Sequence, residues 1–112
     1  MAKIEVERLL FQLGISSNYY GYKQLAAALD KILDDLDRLS HINRLFQEIS
    51  EELNTSPTAI RDNIDTLIEA SWRKNPDLIR SISNYPLPAR PSVKRFLEIA
   101  CNYLMRARGI IV

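Results

Sequence analysis

The chain has 112 residues, 46% of them apolar and 26% charged, which suffices for one hydrophobic core and is too apolar for a disordered chain. Its formal net charge of +1 conceals a split: residues 1–72 hold 7 Lys/Arg against 12 Asp/Glu, and residues 73–112 hold 8 against 2. The single cysteine, Cys101, cannot form an internal disulfide, and no apolar run approaches the ~18–20 residues that cross a bilayer.

Only three glycines occur, and alternation of apolar and polar residues is nearly absent, so an all-α domain over residues 1–112 is expected. Met1 to Glu7 mix charges with apolar residues, unlike a secretory leader, and unpaired cysteine fits a reducing, cytoplasmic compartment. Ile4, Val6, Leu9, Leu10 and Leu13 recur at helical spacing and predict a first helix over 2–13, closed by Gly14. A second helix is predicted over 20–35, with Tyr22, Leu25, Ala26, Leu29, Ile32 and Leu33 on one face. Asp34, Asp35 and Asp37 follow, and one of them is placed to cap a third helix over 38–53, whose inner face is Leu39, Ile42, Leu45, Phe46, Ile49 and Leu53.

Asn54-Thr55-Ser56-Pro57 stops that helix and starts another. Ser56 suits the N-cap and Pro57 the first helical position. The fourth helix is predicted to reach Trp72, with Ile60, Ile64, Leu67, Ile68 and Ser71 inward. A short fifth helix spans 76–83. Pro86, Pro88 and Pro91 make Asn84–Pro91 an extended loop. A sixth helix runs from Ser92 to Arg108 with Val93, Phe96, Leu97, Ala100, Cys101 and Leu104 inward, and Ile110-Ile111-Val112 form an apolar tip.

Two amphipathic helices joined by a short polar turn, with Asn54 able to take a left-handed conformation, make the pattern of a helix-turn-helix. An ordinary helical hairpin shares that pattern. Enzyme chemistry has no matching constellation. His41 is the only histidine, Cys101 lies on an apolar face, the carboxylates sit at surface spacing and no glycine-rich phosphate loop occurs. No cofactor, metal or small-molecule substrate is therefore expected.

The run Leu53-Asn54-Thr55-Ser56-Pro57-Thr58-Ala59-Ile60, then Ile64, Ile68-Glu69-Ala70-Ser71-Trp72 and Asn75-Pro76-Asp77-Leu78-Ile79, resembles the C-terminal effector domain of the master response regulator of sporulation in endospore-forming bacteria. Leu13-Gly14-Ile15 and Gly21-Tyr22 with Leu25 extend the resemblance to about residues 9–104. It implies a six-helix bundle that binds double-stranded promoter DNA as tandem copies, with the fourth helix in the major groove and contacts between copies through the last helix. A phosphoreceiver domain precedes the effector in full-length members. This chain starts directly before the first helix, and so reads as an isolated effector domain or a relative without that switch.

The reading helix departs from the family. Asp62 and Asp65 stand where the family carries arginines, and Arg61 stands where it tends to carry an acid. The Asn84–Pro91 loop is several residues longer. If the helix reads DNA, Arg61 would pair with guanine and Asn63 with adenine. Thr55, Ser56 and Thr58 would bond phosphates, and Ala59, Asp62, Asp65 and Thr66 complete the facing surface. Arg73, Lys74, Arg90, Lys94 and Arg95 would add sequence-independent attraction. The bland alternative for Arg61 is an i,i+4 pair with Asp65. The acidic helix also permits a second function, a protein-interaction module of the same fold that binds a regulator or itself.

Overall fold

Leucine and isoleucine recur at helical spacing along nearly the whole chain. In the computed structural model, which describes residues 2–109, they assemble into six α-helices and one 3-10 helix. The first, α1 (Ile4–Gln12), buries Val6, Leu9 and Leu10, but Ile4, which shares their helical spacing, is left 65% exposed. The helix starts later than residue 2 because Lys3 is extended, and its N–H donates to the Asp30 carboxylate across the fold. Gly14, at φ 76°, closes the other end. The Ile15 N–H reaches the Leu10 carbonyl at 2.8 Å and the Gly14 N–H reaches Phe11 at 3.0 Å, which satisfies two terminal carbonyls.

The second helix, α2 (Tyr22–Asp34), begins two residues after the predicted start. Gly21 takes a left-handed φ of 91°, which an α-helix excludes. It is the hub of the bundle: Leu25, Ala26, Ala28, Leu29, Ile32 and Leu33 are buried against α1 and the helices that follow.

The predicted third helix is two elements. A 3-10 helix (Leu36–Ser40) comes first, then α3 (Ile42–Leu53), with His41 non-helical between them. The Asp35 carboxylate accepts the Asp37 N–H at 3.1 Å, and Arg38 Nη1 donates to the Lys31 carbonyl at 2.7 Å. These bonds turn the chain before α3 can start. Lys31 Nζ then bridges to α3 through Glu52 at 2.6 Å and Glu48 at 3.3 Å.

The fourth helix, α4 (Pro57–Lys74), is two residues longer than predicted and buries Ile60, Ile64, Leu67, Ile68 and Ser71 as expected. Ser71 is tolerated in the core because its hydroxyl donates to the Leu13 carbonyl at 2.9 Å, at the end of α1. Next comes α5 (Pro76–Ile82), capped by Asn75. After the proline-rich loop, α6 (Val93–Ala107) is capped by the Ser92 hydroxyl, which accepts the Arg95 N–H at 3.2 Å. Its six predicted inward residues are buried, and Ile99 and Met105 join them. The apolar tip Ile110–Val112 lies outside the described residues. Arg108 forks onto the Glu5 carboxylate, with Nε 2.9 Å from Oε2, and so ties the end of the bundle to α1. No helix among the described residues is long and apolar enough to cross a membrane.

Candidate nucleic-acid interface

The segment between α3 and α4 is only Asn54, Thr55 and Ser56. Asn54 sits at φ 53°, ψ 46°, the one non-glycine residue with positive φ among those described. Its short amide side chain tolerates this conformation better than a bulkier residue would. The Thr55 N–H donates to Ser50 at 3.2 Å, and the Thr55 hydroxyl donates to the Leu53 carbonyl at 3.2 Å. The Ser56 hydroxyl accepts the Ala59 N–H at 3.1 Å. Thr55 and Ser56, both predicted phosphate ligands, therefore also hold the turn. Thr58 stands exposed in the first turn of α4, and Ala59 is half-buried.

Arg61 points back across the turn rather than along its own helix. Its Nη2 donates to Asn43 Oδ1 of α3 at 3.1 Å, and the guanidinium lies 5.1 Å from the centre of the Phe46 ring. The pair with Asp65 that spacing allowed is not made. Asn43, Phe46, Gln47, Pro57, Thr58 and Arg61 line a groove between the two helices. Asp62 faces solvent, and among the described residues it has no ion-pair partner. Thr66 is exposed, its hydroxyl donating to the Asp62 carbonyl at 2.9 Å.

Asn63 lies on a different flank. It is half-buried, and its Nδ2 donates to Gln24 Oε1 at 2.9 Å, so the amide expected on a base edge is occupied within the protein. Gly21 packs on this residue so closely that a Cβ there would meet the Asn63 Cβ at 2.9 Å.

Asp65 and Glu69 are both held by Arg90, from the loop before α6. Arg90 Nη1 and Nη2 reach Asp65 at 2.8 and 3.4 Å, and Nε reaches Glu69 at 2.8 Å. The Asp65 carboxylate beside it raises the Arg90 pKa further above its ordinary value. Arg73 also pairs with Glu69, at 3.0 Å. Arg61, Asp62, Asp65, Arg90, Ser92 and Lys94 surround one open cleft of about 410 Å³ between α4 and the start of α6. Lys94 is exposed there, whereas Arg95, also exposed, does not line the cleft, and its Nη1 donates to the Tyr85 hydroxyl at 3.2 Å. Arg73 and Lys74 are exposed at the far end of α4, about 24 Å along the axis from its start. The predicted residues thus form a nearer group at the turn, the first half of α4 and the start of α6, with Asn63 turned to α2 and Arg73 and Lys74 apart.

Arg90 counted in the sequence only as a diffuse positive charge, and its bridging role was not read from it. The i,i+4 carboxylates Asp65 and Glu69 on one helix flank were the signal that a cation should face them. Asn43, Phe46 and Gln24 were missed as well. Gln24 had a usable signal, a polar residue on an otherwise apolar face. Burial pushes the Cys101 thiol up to about 12, the state of an inert core cysteine. No group of His, Cys, Asp or Glu is placed for a metal among the described residues. A family model described as sporulation initiation factor Spo0A C terminal matches residues 6–104.

Proposed function

The chain belongs to the family of C-terminal domains of the sporulation initiation factor Spo0A, a family of DNA-binding regulator domains, and from that premise we propose that it binds double-stranded DNA sequence-specifically, with α3 and α4 as a helix-turn-helix and α4 as its reading helix. The observation that carries this reading is the three-residue turn closed by left-handed Asn54, beyond which the outer face of α4 stands open to solvent. Such a turn sets two helices close, and an uncovered second helix is what a major groove accepts.

In this reading Arg61 is the principal base reader, pre-positioned by Asn43 and Phe46, and directed at guanine O6/N7. Asp62 accepts from a cytosine N4 amine. Thr58 meets a phosphate through its hydroxyl and its own backbone N–H, since Pro57 has no N–H and those of Ala59 and Ile60 are bonded to Ser56. Lys94 and Arg95 meet the backbone beside it, and Arg73 and Lys74 add attraction at the far end. Asn63 is left out of the reading set, because its amide is spent on Gln24. Tandem copies on adjacent sites belong to the same proposal, with the outward residues of α6 available for contact between them.

The test is a fluorescence-anisotropy titration of a labelled duplex pool at low and near-physiological salt. Binding to a subset of sequences that survives the higher salt supports the reading. Binding that vanishes with salt on all sequences, or is absent, rejects it in favour of a protein-interaction module.

A further inference from the structure

The reading helix carries a charge problem that the loop before α6 answers. Over residues 58–69 of α4, Arg61 stands against Asp62, Asp65 and Glu69. An unpaired carboxylate brought to a phosphate backbone is repelled, and a helix with two in excess is poorly suited to a groove. Arg90 changes that balance. All three of its guanidinium nitrogens lie within 3.4 Å of carboxylate oxygens, two on Asp65 and one on Glu69. Arg73, 3.0 Å from Glu69, supplies the second cation, so two carboxylates meet two guanidinium groups and what remains on the helix is Asp62 against Arg61.

The loop delivers this group in a defined position. Arg80 Nε donates to the Leu87 carbonyl at 2.9 Å, Tyr85 accepts from Arg95, and Pro91 is buried next to Arg90. Trp72, at the end of α4, lies under Arg80 at 4.8 Å, so the loop is fastened to the helix it serves. Lysine at position 90 would supply the charge without the fork, because only a guanidinium can hold one carboxylate through two nitrogens and a second through the third.

We propose that Arg90 is a positioning residue for DNA binding: it immobilises Asp65 and Glu69 and, with Arg73 on Glu69, offsets their charge, so that α4 can approach the polyanion despite its acidic sequence. The proposal rests on the DNA-binding reading above. It differs from a phosphate contact by Arg90 itself, because all three guanidinium nitrogens are engaged by carboxylates.

The two are separated by a double-mutant cycle in the full chain, read as affinity for the selected duplex. Arg90→Ala is expected to weaken binding at least ~10-fold on its own and less than ~3-fold in the Asp65→Asn/Glu69→Gln background. The slope of log affinity against log salt should change by well under the ~0.9 that one lost phosphate contact costs. Arg90→Lys should recover part of the loss. Arg90→Gln repeats the measurement with a polar side chain of similar length, should the alanine variant lose helix content by circular dichroism. Equal losses in both backgrounds, or a slope reduced by a full phosphate contact, would overturn the proposal while leaving DNA binding intact. A wild-type chain that binds no duplex rejects the DNA reading and this proposal together, a distinguishable result.

Discussion

Arg61 of α4 lies over the ring of Phe46 of α3, 5.1 Å from its centre, and so the putting in place of the main candidate reader depends on the neighbouring helix. The Asn43 amide oxygen, 3.1 Å from Nη2, fixes the other edge of the guanidinium. Arg61→Ala should weaken specific binding about 10-fold or more and relax preference at one base pair, since a good bidentate contact discriminates by ~1–3 kcal/mol. Lys94→Ala should weaken all duplexes alike and lower the salt slope by about 1. Affinities over single-base variants of the selected site check both, and a uniform loss for Arg61→Ala would show that it does not read bases.

Gly21, the residue that precedes α2, packs directly on Asn63 of α4. Its φ of 91° and the 2.9 Å that a Cβ would leave to Asn63 both oppose a side chain. Gly21→Ala should cost about 1–3 kcal/mol of unfolding free energy. Urea titration followed by circular dichroism measures this. A midpoint equal to the wild type would mean that the contact relaxes freely.

The ion pair between Glu5 and Arg108 makes stability depend on acid. The hydrogen bond from Arg108 holds the Glu5 carboxyl below its ordinary value of 4.5, against a smaller opposing effect of burial. A carboxyl with a depressed folded-state pKa stabilises the fold above its unfolded value and loses that contribution as pH falls through the folded one. The wild type should therefore exceed Arg108→Ala in urea midpoint at pH 7, and the gap should narrow below about pH 4.5. A gap independent of pH would assign the Arg108 effect to packing alone.

Cys101 offers a probe of the intact core. With its thiol pushed up to about 12 by burial, it is protonated at pH 8 and shielded from reagents. An aromatic disulfide reagent at pH 8 should label it slowly in buffer and rapidly in denaturing urea. Fast labelling of the native chain would contradict its buried place on α6.

The parts of the fold legible in sequence were those with punctuation. Pro57 after Ser56, Pro76 after Asn75 and Ser92 after the prolines all proved to be caps or first helical positions, so α4, α5 and α6 were found nearly to the residue. The break at His41 was invisible because Leu39 and Ile42 keep helical spacing across it, and the turn arises from side-chain bonds to backbone. Ile4 shares the helical spacing of Leu9 and Leu13, yet at the first position of α1 it is exposed, while Val6 in the same turn is buried. The same limit applied at the site. Periodicity gave the inner face of α4, but the ways in which its outer side chains were engaged came from other elements: Asn43 and Phe46 for Arg61, Gln24 for Asn63, and the loop residue Arg90 for Asp65 and Glu69. These partners lie 15 to 39 positions away in sequence, beyond the reach of any local pattern.

Glu5 and Arg108 are 103 positions apart and joined by one ion pair, so the backbone returns at its end to where the fold began. The bundle is in effect a ring in space, closed by a guanidinium rather than a peptide bond. A circular permutant that joins Arg108 to Lys3 by a short linker and opens the exposed stretch from Ser16 to Tyr20 would keep the six helices of the described residues and the turn at Asn54. The geometry of α4 and its supporting side chains is thus a property of the closed arrangement, independent of the point at which the polypeptide is cut.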